Sequence, residues 1–202
     1  VGKYNTQVNS GMQYMIEREL MSSGIFELEA NPSMAQDTTC QLEFHLDKDH
    51  IVRPVDTKEQ APMHTLSYDL ECDLRTVNGK LVFPDALIDP IITIGVVHSS
   101  GKAVFCLHET NPIEGVDVHH FPTEKEMLSA FNAFVLSYDP DFIIGHNVNR
   151  FDNVYYEKRC IKHGIKMGWS RMAGYACKVK RIVTKSNQKG TREVFRLDLP
   201  GR

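Results

Sequence analysis

At 202 residues, with 42% hydrophobic and 24% charged residues, the chain can fill one domain core and part of a second, and its composition is that of an ordinary globular protein. No run reaches the roughly 18 apolar residues of a membrane helix and no secretory signal opens the chain, so spanning and exported classes are set aside. The net charge of −3 hides an asymmetry: residues 1–156 hold 10 Lys and Arg against 23 Asp and Glu, whereas residues 157–202 hold 13 against 3.

In chain order, residues 11–29 combine a helical pattern around Met15 to Leu20, a break at Ser22-Ser23-Gly24 and a strand-like Ile25-Phe26-Glu27-Leu28-Glu29. Residues 30–62 are polar and irregular, with Pro32, Pro54 and Pro62, although Leu42 to Leu46 alternates as a strand. Ala61-Pro62 is the expected boundary between an incomplete N-terminal part, 1–62, and a second domain, 63–202. The second domain opens with a strand from Thr65 to Glu71, followed by a loop through Thr76-Val77-Asn78-Gly79. Ile91 to His98 reads as a strand, Ser99-Ser100-Gly101 as a hairpin turn and Ala103 to His108 as its partner. Thr123 and Glu126 form a capping box, and Met127, Leu128, Phe131, Phe134 and Val135 then recur at helical spacing. Asp139-Pro140-Asp141 ends that helix. Phe142-Ile143-Ile144 reads as a short buried strand, and a second helix runs from about Phe151 to His163 with Gly164 as its cap. Strand, hairpin, helix, strand, helix is the order of an α/β layered domain.

The five cysteines, Cys40, Cys72, Cys106, Cys160 and Cys177, include no Cys-x-x-Cys pair, which argues against a zinc site and a complete disulfide framework. A reduced, intracellular setting is expected. The basic residues of the last 46 positions are interleaved with Trp169, Tyr175 and Phe195, a composition that suits a polyanion such as nucleic acid and equally a solvated charged face.

Chemistry concentrates at Tyr68-Asp69-Leu70-Glu71-Cys72-Asp73. Side chains two apart on a strand share a face, so Asp69 and Glu71 project together while Leu70 turns into the core. Adjacent carboxylates repel unless a cation lies between them, and hard divalent cations such as Mg²⁺ take such ligands together with substrate phosphate oxygens. A second cluster, Asp141 to Asp152, is a strand, a glycine turn and a helix start that presents Asp152 as a third carboxylate beside the polar Gly145-His146-Asn147.

Tyr68-Asp69-Leu70-Glu71-Cys72 resembles the first exonuclease motif of family B DNA polymerases, and Gly145-His146-Asn147 with Phe151-Asp152 resembles the second. The likeness to delta-type replicative members, of a eukaryote or a large DNA virus, runs from about residue 11 to residue 202, through "DPIITIGVV", "DPDFIIGHNVNRFDNVYY" and "KGTREVFRLDLPGR". It implies a ribonuclease H-like α/β fold preceded by part of a β-rich N-terminal domain, and a proofreading 3′–5′ exonuclease with two Mg²⁺ or Mn²⁺ ions. By that resemblance Asp69 bridges both metals, Glu71 holds the metal that activates water and Asp152 supports the other. Asn147 helps to position the strand and Phe151 lies near the terminal nucleotide. The implied partner is DNA, as the single-stranded 3′ end of a primer. Accessory subunits or a sliding clamp would bind through parts outside this chain, no membrane is involved, and the setting is the nucleus or a viral replication compartment.

The sequence also departs from the family pattern. No Tyr-x-x-x-Asp follows Asp152, the palm motifs are absent and His146 stands where many members have Tyr. A polymerase fragment, weak or inactive alone, is therefore expected. Two other readings stay open: a stand-alone or catalytically degenerate DNA-binding scaffold, and a ribonuclease H-like nuclease acting on RNA.

Overall fold

The computed structural model describes residues 8–21, 24–32, 37–40, 42–47, 51–186 and 190–202. The chain divides into two compact units, Val1–Pro62 and Met63–Arg202.

In the first unit, Asn9 caps helix α1 (Ser10–Glu17) by accepting from the Met12 N–H at 2.8 Å. The sequence pattern places this helix around Met15 to Leu20, but it ends at Glu17 because Glu19 takes a left-handed φ of 56°. The expected break at Ser22-Ser23 lies outside the described residues. Four short strands follow: β1 (Phe26–Leu28), β2 (Asn31–Pro32), β3 (Phe44–His45) and β4 (Val52–Pro54). β1 pairs with β4 and β2 with β3, both antiparallel. The strand expected over Leu42 to Leu46 is thus two residues long.

The second unit is built on β5 (Thr65–Cys72), whose alternation buries Leu66, Tyr68 and Leu70 and leaves Asp69 and Glu71 exposed. The expected loop at 76–79 closes instead into a small hairpin, β6 (Thr76–Val77) and β7 (Lys80–Leu81). Asn78 and Gly79, with φ of 51° and 73°, make the tight turn that this dipeptide favours. β8 (Ile91–His98) and β9 (Gly101–Cys106) pair antiparallel with the turn tightened to Ser99-Ser100. β10 (Asp117–His120), a short polar strand with no clear pattern, adds to β9 in parallel.

Helix α2 (Glu124–Tyr138) starts at Thr123, which accepts from the Glu126 N–H at 3.3 Å, and stops at Asp139, where φ is 51°. β11 (Phe142–Ile144) pairs in parallel with β5 at the edge of a five-stranded mixed sheet ordered β10-β9-β8-β5-β11. This edge position exposes Phe142 and Ile144, in contrast to the buried strand read from the apolar sequence. Helix α3 (Asp152–Lys162) follows, and β12 (Lys178–Ser186) with β13 (Gly190–Asp198) forms a separate antiparallel ribbon.

The core lies between the sheet and the two helices. Tyr68 of β5 packs with Phe131 of α2 and Trp169, while Tyr156 of α3 meets Phe131 and Trp169. Buried Arg159 of α3 donates from Nε to Glu124 Oε1 of α2 at 2.8 Å and from Nη1 to the Ala86 carbonyl at 2.9 Å; His163 reaches Glu124 Oε2 at 2.7 Å. Tyr155 donates to the Asp89 carbonyl at 2.8 Å, so several side chains of α3 fix its register against α2 and the 84–90 loop.

Candidate active site

β11 ends at Ile144 after pairing with β5 only as far as Ser67, which leaves the β11 side of β5 beyond that point without a strand partner. The gap is filled from α3: the Leu70 N–H donates to Asp152 Oδ1 at 3.2 Å, setting a buried carboxylate against the backbone between Asp69 and Glu71. The connecting turn passes close to β5 because residue 145 is glycine. A Cβ there would lie 2.8 Å from the Tyr68 carbonyl oxygen and 3.0 Å from Val148 Cβ. Gly145→Ala is expected to push the turn off β5 and cost about 1–3 kcal/mol. Thermal unfolding checks this, and a wild-type Tm would contradict it. Asn147, at the turn's apex, takes a φ of 55°, which Asn accepts more readily than most residues. Its carbonyl accepts from the Arg150 and Phe151 N–H groups at 2.9 and 3.3 Å and so leads the chain into α3.

Burial pushes the Asp152 carboxyl above the usual range, opposed by its own and the Leu70 N–H groups, reinforced by the charge of Asp69 and opposed by His146. Several other carboxylates of this unit have cationic partners: Glu124 has Arg159, Asp89 has Arg75, Asp139 and Asp141 have Arg171, Glu193 has Arg181 and Asp198 has Lys180. Among the described residues, Asp69, Glu71 and Asp152 have no cationic side chain within ion-pair distance. Among the same residues, Asp69 and Glu71 find no side-chain hydrogen-bond partner either.

The structure thus brings Asp69, Glu71 and Asp152 to one stretch of β5, with His146 and Asn147 in the adjoining turn. Among the described residues, no three His, Cys, Asp or Glu side chains form a ready-made metal cage. The donor chemistry nevertheless fits Mg²⁺ or Mn²⁺. These ions take one or two carboxylates and complete their shell with water and phosphate oxygens rather than with an all-protein cage.

Phe151, immediately before Asp152, packs edge-on against Phe83 with ring centroids 5.5 Å apart. Phe83, Arg150, Phe151 and Lys158 border a cleft of about 290 Å³. Phe83 is 79% exposed and does not stand out in the sequence. The signal for it is an aromatic just before Pro84, outside any apolar periodicity, at a position that no core strand or helix requires.

The model for "DNA polymerase family B, exonuclease domain" matches residues 1–202. DNA polymerase delta catalytic subunits of Dictyostelium discoideum and Arabidopsis thaliana are 30% and 32% identical, each over 98% of this chain and 19% of the relative. The Schizosaccharomyces pombe subunit is 34% identical over 82% of this chain and 16% of its own length. The chain therefore spans 16–19% of these relatives. The solved structure of the family B DNA polymerase from the hyperthermophilic archaeon Pyrobaculum calidifontis matches with a TM-score of 0.55 and 23% identity, covering 91% of this chain and 20% of that one. The five-stranded sheet with its helices is the ribonuclease H-like exonuclease fold of that group. By the match over its whole length, this chain belongs to DNA polymerase family B, in the exonuclease domain.

Proposed function

We propose that the chain is the 3′–5′ proofreading exonuclease part of a replicative DNA polymerase, removing mismatched 3′-terminal nucleotides. The observation that carries this reading is the set of three carboxylates on β5 and α3 that, among the described residues, have no cationic partner, in a chain that belongs to this family. Asp69, Glu71 and Asp152 would hold two divalent cations, Mg²⁺ or Mn²⁺. When bound, these supply a more acidic water as nucleophile and neutralise charge on the attacked phosphate.

The protein's own groups do the positioning. Leu70 N–H fixes one Asp152 oxygen at 3.2 Å, so that this carboxyl enters the site with its orientation set. Asp69 and Glu71, exposed on the strand face opposite Leu70, stand open to a substrate phosphate. Phe151 and Phe83 offer ring surface to the last bases of a single strand, and Arg150 and Lys158 offer charge to its backbone. Asn147, at the turn, would help to orient that strand. DNA is accordingly the proposed partner, with action in the nucleus or a viral replication compartment. Residues 63–202 would form the exonuclease domain and residues 1–62 part of an N-terminal domain. Accessory subunits or a clamp would engage other parts of the parent polymerase.

Asp152 provides a test that separates a functional carboxylate from a structural one. Its raised pKa means that folding favours the protonated form. The ionised carboxylate therefore costs stability above the folded pKa, and that cost vanishes as pH falls below the unfolded value. Asp152→Asn is expected to raise Tm at neutral pH, with the gain closing in acid, while metal-dependent 3′ excision by the full-length protein is lost. A variant that loses stability at neutral pH and keeps excision would overturn the assignment.

A further inference from the structure

Among the described residues, two side-chain hydrogen bonds join β5 to the first two residues of α3, Asp152 and Asn153. One is the Leu70–Asp152 contact; the other is deeper and made of uncharged groups. The Tyr68 hydroxyl, on a ring 2% exposed, donates to Asn153 Oδ1 at 2.6 Å, and Asn153 Nδ2 donates to Asn149 Oδ1 at 3.0 Å. Asn153 is itself 3% exposed, so neither Tyr68 nor Asn153 has ready access to water. This relay joins two pieces of chain, β5 and the turn that leads into α3, and each of its residues lies near a proposed site residue. Tyr68 precedes Asp69, Asn153 follows Asp152, and Asn149 lies two residues beyond Asn147.

A core position facing Phe131 and Trp169 needs only ring volume, and phenylalanine would supply it. The hydroxyl is a buried polar group that costs free energy unless paired, and its partner is the Asn beside the one buried site carboxylate. The Asp152 bond to Leu70 is the longer of the two links at 3.2 Å, so the short Tyr68–Asn153 bond is the better determinant of the spacing between strand and helix.

We infer that Tyr68, Asn153 and Asn149 form a positioning relay that sets the separation of Asp69 from Asp152 and thereby the site's affinity for divalent cations. This inference rests on the reading of Asp69, Glu71 and Asp152 as metal ligands. The three relay residues touch neither metal nor substrate; they act through the carboxylates beside them. Removing one partner leaves a buried acceptor that must find another donor, and the start of α3 shifts to provide it. Removing both polar groups together takes away the unsatisfied atom and lets apolar packing restore the spacing, since Asn149 is exposed and its oxygen can turn to water.

The test is Mn²⁺ binding to the 202-residue chain, followed by electron paramagnetic resonance of free Mn²⁺, with circular dichroism to confirm folding. Tyr68→Phe is expected to weaken Mn²⁺ binding by about 10-fold, at the lower end of what loss of an outer-shell partner causes. Tyr68→Phe combined with Asn153→Leu is expected to return to within about twofold of wild type. Asp69→Asn in the same titration should abolish binding at the site. A folded Tyr68→Phe chain with unchanged Mn²⁺ affinity, alongside an Asp69→Asn chain that no longer binds, overturns the relay and leaves the metal site standing. Unchanged binding by Asp69→Asn overturns the metal site and the relay with it. Should Tyr68→Phe fail to fold, Asn153→Leu alone decides, since it leaves the buried Tyr68 hydroxyl unpaired: weakened Mn²⁺ binding by the folded chain supports the relay, and unchanged binding overturns it.

Discussion

Alanine at both Asp69 and Glu71 in the full-length protein is expected to reduce metal-dependent removal of a mismatched 3′ nucleotide by about 10³-fold or more, because each tenfold is only about 1.4 kcal/mol of barrier and bound metal is worth several. The fold should not suffer. Both side chains are exposed and, among the described residues, form no hydrogen bond or ion pair, so nothing in the packing depends on them. Tm should be unchanged or slightly raised, since Asp69 contributes to the pressure that keeps the buried Asp152 carboxyl above its usual range. Excision assayed on a primer with a mismatched end, beside a thermal melt, separates the two effects. Full excision by the double variant would sink the assignment, and a collapsed Tm would show that these carboxylates are structural.

The second large effect is expected at Arg159. Arg159 is 2% exposed, and its guanidinium donates to Glu124, itself 7% exposed, which also accepts from the Ile91 N–H at 2.8 Å. Arg159→Ala leaves that carboxylate buried with the His163 imidazole and the Ile91 N–H as its remaining partners. Breaking a buried pair in this way costs about 3–5 kcal/mol, which is roughly 10–15 °C in Tm for a unit of this size. Burial alone pushes the Glu124 carboxyl up, but Arg159, the Ile91 N–H and His163 outweigh it and hold it below the ordinary range. In the wild type this group therefore adds stability above its unfolded pKa and loses it as pH falls through the lower folded value. In Arg159→Ala the balance reverses, the folded pKa rises, and protonation relieves the strain. The Tm gap between variant and wild type should narrow as pH falls from neutral toward about 4.3, the ordinary Glu value. Melts at several pH values check this, and a gap that stays constant would contradict it.

How much of this the sequence reveals depends on distance along the chain. Asp69, Leu70 and Glu71 are consecutive, and strand alternation alone states which of them faces the core; the structure has Leu70 buried and its neighbours exposed. Thr123 and Glu126 are three apart, and their capping geometry is equally local. Tyr68 and Asn153 are 85 residues apart, and no periodicity connects them. Glu124 and Arg159 are 35 apart, and Glu124 reads as one more acidic residue of a helix's first turn until the fold brings an arginine to it.

Local signals could also be outvoted. Phe142-Ile143-Ile144 looks buried because it is apolar, yet its place at the sheet edge exposes two of the three. Asn78-Gly79 looks like a loop but forms a hairpin because the flanking residues pair. The β12–β13 ribbon was hidden by its charge: Lys178, Lys180 and Arg181 draw attention to polyanion binding, while Val179, Ile182 and Val183 supply the strand propensity. Asp152 was legible as a helix-start carboxylate, but its burial and its bond to Leu70 depend on β11 stopping short, which only the register of the sheet reveals.

The most direct test of the account is manganese anomalous diffraction from crystals of this chain soaked with Mn²⁺ and a short single-stranded oligonucleotide. The account predicts Mn²⁺ bound to Asp69 with Glu71 and Asp152 in its immediate surroundings, a second ion about 3.5–4 Å away, and the 3′-terminal nucleotide against Phe151. Density showing the three carboxylates free of Mn²⁺, at a concentration that saturates excision by the full-length protein, would contradict it.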